Sequence, residues 1–370
     1  MKVLLISPKD PEVPTNLKFL MGGENTYTQT LLAYPPEGVE YIHYQKVLGS
    51  RVATYTAFQS LFSALMTARI LPPDSGFQAL KLKEKFDLVH AHTYCLKLQN
   101  YTGPVVLSDS SSNALFLRDY LGWSRLRIKV AYKLRKWINK NLGVFDPNLN
   151  LYQAKKLIVW SEFAKRIHQE LGCDPRKITV IPPGIAELSG KRIEHEGFNI
   201  LFVGVWFERK GGKLLLDTYR ILKEKYSQLR LSLVGELPKG MELSEGIWQT
   251  NYLSRGKLIN EVFPYADVLV LAPPKAEGYG LVVEEAMSFG IPVVVSNIYA
   301  LPEMVQDSVT GFVVKPGSVE DLVAKLEILI KNPSLRRKMG VVAHQRFREK
   351  FWIEKTNEKL LKVYQEALKR

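Results

Sequence analysis

The segment that decides the fold runs Val268-Leu269-Val270-Leu271-Ala272, then Glu277-Gly278-Tyr279-Gly280-Leu281-Val282-Val283-Glu284-Glu285-Ala286-Met287, then Pro292-Val293-Val294-Val295-Ser296. The outer runs are apolar end to end, as strands covered by helices on both faces are. The middle run predicts a helix over Leu281–Phe289, stopped by Gly290 and Pro292. Strand, glycine-bearing turn, helix and second strand together make the repeating unit of a parallel sheet. Gly278 and Gly280 allow close approach of the backbone to a ligand, and a helix start favours an anion. One carboxylate precedes the helix and two adjacent ones lie within it.

At about 100° per residue, Val282, Val283, Ala286 and Phe289 gather on one side and are expected to face the core. Glu284 lies nearly opposite and is expected in solvent. Glu285 sits at the edge, where a carboxylate is partly shielded and still reaches a ligand. A carboxylate beside a diphosphate would repel it, so Glu277 and Glu285 are assigned to neutral hydroxyls. The N–H groups of Gly280 and Leu281 are assigned to phosphate. A vicinal diol such as a ribose suits two-oxygen acceptance by Glu285.

The same alternation extends in both directions. Strands are predicted at Val3–Ser7, Leu88–His92, Val105–Ser108, Lys156–Ser161, Ile178–Ile181, Asn199–Val203, Leu229–Gly235 and Gly311–Val314. Helices are predicted at Gly211–Lys225 and at Val319–Lys331, the latter capped by Ser318 with Asp321 three residues on. A last helix spans Phe351–Arg370, with Trp352, Leu360, Val363, Tyr364 and Ala367 able to share a face. This pattern is α/β with doubly wound sheets. A length of 370 residues suits two domains. The break falls near Ile181-Pro182-Pro183-Gly184, giving one domain over 1–185, completed by 352–370, and another over 190–350.

The formal charge of +14 points to acidic partners: phosphorylated substrates, anionic lipid or nucleic acid. Cys95 and Cys173 show neither metal-ligand spacing nor a disulfide framework, which suits a reducing compartment. The opening apolar run breaks at Pro8 and reads as a strand rather than a signal peptide, and no stretch approaches a membrane span. Much of the positive charge sits on Arg125–Leu142, an amphipathic helix with Arg125, Lys129, Lys133, Lys136 and Lys140 in one stripe. Leu126, Val130, Leu134, Trp137 and Ile138 form the neighbouring face. Such a helix suits either an anionic membrane surface or packing of its apolar face on the sheet. A cytoplasmic protein, peripheral on the inner face of the cell membrane, fits these features. No nucleic-acid module is present.

Three further segments carry candidate groups. After Leu201-Phe202-Val203-Gly204, Arg209 and Lys210 stand beyond a strand end, where a diphosphate needs cations. Gly22 and Gly23 follow the first strand and suit close approach to phosphate. His90 and His92 alternate at a strand end and are read as facing opposite ways, with His92, nearer the carboxyl end, the site candidate.

Together these motifs resemble the retaining, nucleotide-sugar-dependent glycosyltransferases of family 4 with the GT-B fold. The strongest match is Glu277-x7-Glu285 with the Ala286–Val294 run directly after it. In chain order the supporting matches are Gly22-Gly23, Asp87–His92, Val159-Trp160-Ser161 with Phe163, Val180–Gly184, Phe202–Gly204 with Lys210-Gly211, Leu233–Gly235, Tyr265–Asp267 and Gly311–Val314. The resemblance implies two Rossmann-like domains facing a central cleft, with a terminal helix crossing back to the first. It implies transfer of a sugar from a UDP or GDP donor to a hydroxyl acceptor, a glycan or a lipid-linked one. It places Glu285 on the donor ribose, Glu277 near the transferred sugar and Lys210 on the diphosphate, with no metal or other cofactor.

This chain departs from the family at two places. Val205 stands where an Arg is common, and Arg209 is the alternative source of charge. Ser108-Asp109-Ser110 stands where a His is common, leaving Asp109 or Ser110 to face the sugar. These departures keep a second reading in play, a catalytically weak nucleotide-sugar-binding or membrane-docking subunit. A dinucleotide-dependent oxidoreductase would need a G-x-G-x-x-G after the first strand, which is absent.

Overall fold

The computed structural model describes residues 1–7, 23–53, 78–92, 97–98, 100–111, 113–119, 122–142, 154–188, 190 and 192–369. The described residues fall into two compact units. The first draws on Met1–Val13, Leu31–Ile181 and Asn357–Arg370, and the second on Pro14–Thr30 and Pro182–Thr356.

The first unit holds β1 (Lys2–Ile6), β2 (Glu40–His43), β3 (Leu48–Ala53), β4 (Gln78–Leu82), β5 (Leu88–His92), β6 (Lys97–Leu98), β7 (Val105–Asp109), β8 (Lys156–Val159) and β9 (Ile178–Val180). Six of them form a sheet in the order β2-β1-β5-β7-β8-β9, and every pairing is parallel. All five residues of β5 are buried, the burial that its unbroken apolar run with two histidines requires of a central strand. β3, β4 and β6 make a small separate sheet that the apolar pattern does not announce. Helix α1 (Gly23–Ala33) begins in the Pro14–Thr30 segment of the second unit and ends in the first, and α2 (Asn113–Asp119), α3 (Arg125–Leu142) and α4 (Glu162–Glu170) lie wholly in the first. Ser161 caps α4, its hydroxyl accepting from the Ala164 N–H at 3.0 Å.

The second unit is a six-stranded parallel sheet of β10 (Phe198–Val203), β11 (Leu229–Val234), β12 (Ile247–Thr250), β13 (Val268–Leu271), β14 (Val293–Ser296) and β15 (Gly311–Val314). Its order is β12-β11-β10-β13-β14-β15, the dinucleotide-fold arrangement, so the direction of winding reverses between β10 and β13. Helices α5 (Gly212–Lys225), α6 (Leu281–Ser288), α7 (Val319–Lys331) and α8 (Pro333–Lys350) come in turn. The core packs Leu215, Tyr219 and Leu222 of α5 and Leu322, Leu326 and Leu329 of α7 with Ile200, Phe202, Leu231 and Leu233 of the sheet. Ser318 caps α7 as its sequence predicts, with its hydroxyl 3.2 Å from the Asp321 N–H.

The terminal helix α9 (Ile353–Leu368) contributes its later part to the first unit. Leu360, Val363, Tyr364 and Ala367 are buried there. The Tyr364 hydroxyl reaches His90 Nδ1 at 2.5 Å and the Tyr41 hydroxyl at 2.6 Å, and Lys156 pairs with Glu366 at 2.6 Å. The apolar face that the sequence predicts for this helix is therefore completed by a polar lock onto β2, β5 and β8.

Candidate functional site

In the second unit both candidate loops leave the strands that flank the winding reversal. The loop after β10 turns tightly, with the Lys210 N–H donating to the Trp206 carbonyl at 2.8 Å and the Gly212 N–H to the Phe207 carbonyl at 2.8 Å. Gly211 then starts α5 in the left-handed region at φ 89°, and a Cβ there would lie 2.1 Å from the Ala272 carbonyl oxygen. Only glycine permits both the dihedral and the contact that seats this loop on the end of β13. Gly280 starts α6 in the same way at φ 95°. Neither helix start carries a side-chain cap, so their first N–H groups are left to the loops, as at an anion site.

The two loops meet through charge. Lys210 Nζ lies 2.5 Å from Glu277 Oε2, and Arg209 Nη1 lies 3.8 Å from the same oxygen. Burial pushes the Glu277 carboxyl up, but Lys210 and Arg209 outweigh it and hold the group below the usual carboxylate range. The structure thus brings together Arg209, Lys210, Glu277, Gly280 and Leu281. Arg209, four positions beyond Val205, directs its guanidinium at the carboxylate that the motif supplies.

Glu285 is buried and its Oε1 meets Arg255 Nη1 at 3.1 Å. Burial raises its carboxyl above the ordinary value and Arg255 only partly offsets this. Sequence reasoning missed Arg255. It sits in a short helical turn, Arg255–Lys257, capped by Ser254, and nothing in the sequence links that turn to a helix thirty residues on.

Glu284 overturns the expectation of a solvated acid. It is 0% exposed, and its Oε1 accepts a 2.8 Å bond from the buried Tyr279 hydroxyl. Burial drives its carboxyl well above the usual carboxylate range, and the Tyr279 hydrogen bond only partly offsets this. The helical wheel failed because it treats the face opposite the sheet as solvent. Tyr279, in the glycine turn, folds back over that face and supplies a partner.

In the first unit His90 and His92 do not face opposite ways. Residues two apart on a strand share a face, and both histidines reach the Ser108 hydroxyl, from His90 Nε2 and His92 Nδ1, each at 2.9 Å. His92 also stacks on Trp160 with centroids 5.0 Å apart. Both rings are buried, and burial pulls both imidazoles down to about 3, so they are neutral at physiological pH. Asp109 is buried too. Its Oδ2 lies 3.1 Å from His168 Nε2 on α4, a partner that sequence reasoning missed. These groups do not stand open to a sugar, as the sequence expectation for His92 and Asp109 had it. Of the glycine pair, Gly23 is the first residue of α1 and Gly22 lies outside the described residues.

Comparison with known proteins matches these features. The family model described as glycosyl transferases group 1 matches residues 187–346, and that described as glycosyltransferase family 4 matches residues 28–187. An uncharacterized glycosyltransferase of Haemophilus influenzae is 28% identical over 55% of this chain and 59% of its own length, so the match spans under two thirds of that relative. A sucrose-phosphate synthase of Thermosynechococcus elongatus shares the fold at TM-score 0.70 and 17% identity, over 98% of both chains. The Anabaena protein HepE, solved with UDP-glucose, does so at TM-score 0.61 and 15% identity over 99% of both chains.

Proposed function

The chain belongs to glycosyltransferase family 4, and we propose that it moves a sugar from a nucleoside-diphosphate donor to a hydroxyl acceptor with retention at the anomeric carbon. One observation carries this reading. Lys210 and Arg209 converge on Glu277 beside two uncapped helix starts, at the strand ends where a doubly wound sheet binds nucleotides. Each carboxylate of the motif is matched by a cation, Glu277 by Lys210 and Arg209 and Glu285 by Arg255. A donor brings its own balanced set. Its diphosphate takes the cations and helix starts, its ribose diol takes Glu285, and a hydroxyl of its sugar takes Glu277.

In the proposed reaction the bond from the anomeric carbon to the diphosphate oxygen breaks. A bond to the acceptor oxygen forms on the same face, and the acceptor proton passes to the leaving diphosphate. Charge grows on that diphosphate as the bond breaks, and Lys210, Arg209 and the start of α6 stabilise it, the part a metal ion plays elsewhere. His92 and Asp109 take a positioning part, holding the ends of β5 and β7. No described helix is long and apolar enough to cross a membrane.

The test is a thermal-shift panel of nucleoside diphosphates and their sugars, then transfer or hydrolysis assays with the donor that stabilises most. Glu285→Gln is expected to weaken that nucleoside diphosphate about tenfold and to leave inorganic pyrophosphate unchanged, because one charged hydrogen bond to the ribose is lost. If the donor binds but is neither transferred nor hydrolysed, and Glu277→Ala changes nothing, the chain is a nucleotide-sugar-binding subunit and the enzyme reading is wrong.

A further inference from the structure

Helix α3 carries two apolar stripes and the unit uses only one. Ile128 and Ala131 turn inward against Ala114, Leu117 and Trp123, with Tyr132 and Leu171 packed beside them. The other stripe faces out. Leu126 is 72% exposed, Val130 56%, Leu134 38% and Trp137 58%. At 100° per residue these four fall within an arc of about 80°. Among the described residues no other helix exposes more than one large apolar side chain. Of the two readings that the sequence left open for this face, packing on the sheet does not hold for Leu126, Val130, Leu134 and Trp137. The packed face is narrower and lies across the helix from it.

The charge along this helix has one sign. Its sequence holds seven basic residues and no acidic one. The exposed side chains of Arg125, Lys129 and Lys133 run directly alongside the outward apolar stripe, and Arg127 borders its other side, with its guanidinium 4.2 Å from the centroid of the Trp123 ring. An apolar stripe with basic edges and an interfacial tryptophan matches a bilayer with anionic headgroups. A second copy matches it poorly, since a two-fold contact would set this basic stripe against itself.

We propose that α3 docks the protein on an anionic lipid bilayer, with Leu126, Val130, Leu134 and Trp137 among the acyl chains and Arg125, Lys129 and Lys133 at the headgroups. The proposal stands on this surface alone and not on the transferase reading.

Flotation with phosphatidylcholine vesicles, with and without phosphatidylglycerol, measures it. The protein is expected to partition at least about tenfold more strongly onto the anionic vesicles, and to release in high salt. Leu126→Ser/Val130→Ser/Trp137→Ser is expected to lose that binding by at least about tenfold while keeping its melting temperature and its shift with nucleoside diphosphates. Lipids brominated in their acyl chains should quench tryptophan emission, and Trp137→Phe should remove most of that quenching while vesicle binding persists. Equal binding by the triple-serine variant overturns the proposal. So does a wild-type dimer that the variant dissociates in the absence of vesicle binding, which would make a second copy the occupant. Loss of the nucleotide-dependent shift in wild type, with vesicle binding intact, would count against the transferase reading alone.

Discussion

The two units place polar groups at the same topological position and do opposite things with them. In the second, the loops that leave the strands at the winding reversal pair Glu277 with Lys210 and Arg209, and α6 pairs Glu285 with Arg255 from beyond the edge strand β12. In the first, the reversal lies between β1 and β5, whose ends bring Ser7 to His43 at 2.9 Å and His92 to Ser108 at 2.9 Å. Those groups are buried and the His92 ring is neutral. Ion pairs beside uncapped helix starts are exchangeable, because an incoming anion and its hydroxyls replace each partner with an equivalent one. A buried network of hydroxyls and neutral imidazoles has no comparable exchange, and breaking it exposes unpaired polar groups. Under the proposed reading, this difference makes the second unit the donor side and gives the first unit's cluster a structural part.

The largest expected effect breaks the charged side. Lys210→Met should cut turnover about 10²–10³-fold if its ammonium stabilises the leaving diphosphate. It should also destabilise by about 3–5 kcal/mol, since Glu277 is left buried without its closest cation. Lys210→Met/Glu277→Gln removes both charges and should recover most of the melting temperature without recovering turnover. A double variant with wild-type turnover would make the pair structural and erase the contrast.

A second experiment addresses the neutral side. The folded imidazoles of His90 and His92 titrate near 3, far below the ordinary 6.5. As pH falls below about 6.5 the unfolded chain gains protons that the folded chain does not, so stability falls with pH over the window down to about 3. Each histidine contributes a slope of about 1.4 kcal/mol per pH unit there. Urea unfolding at pH 7, 6 and 5 measures it, and His92→Gln should remove one such slope. An unchanged slope would mean that the His92 ring is protonated in the folded state and belongs with the charged side.

The smallest effect concerns Glu284. Because its carboxyl oxygen accepts from Tyr279 and burial disfavours its charged form, Glu284→Gln keeps the acceptor and should change stability by less than about 1 kcal/mol and leave turnover within about twofold. Its neighbour's Glu285→Gln, by contrast, should weaken donor binding. Equal losses from the two would return Glu284 to the ligand.

Much of the fold was legible because apolar runs report burial directly. β5 and β15 and helices α3 and α7 have the bounds that the sequence predicts, and most other strands differ by a residue at an end. The strands that escaped, β2, β3, β4, β6 and β12, lack an unbroken apolar run. Of the site, the residues within one loop or one helix start were legible: Arg209 with Lys210, Gly280 with Leu281, and Glu277. The partners from elsewhere in the chain were not. Arg255 and His168 carry no pattern that ties them to Glu285 and Asp109.

The sequence by itself determined the α/β alternation, the glycine turns that start α5 and α6, and the family. These rest on local chemistry, namely apolar period, backbone freedom at glycine and residue spacing. Only the tertiary structure decided that Glu284 is buried against the Tyr279 hydroxyl and that Glu285 is ion-paired with Arg255. It alone showed that His90 and His92 share Ser108, and that α3 turns one apolar stripe inward and leaves the other in solvent. Burial of a polar or amphipathic residue depends on which distant segment covers it, and one-dimensional periodicity does not contain that information.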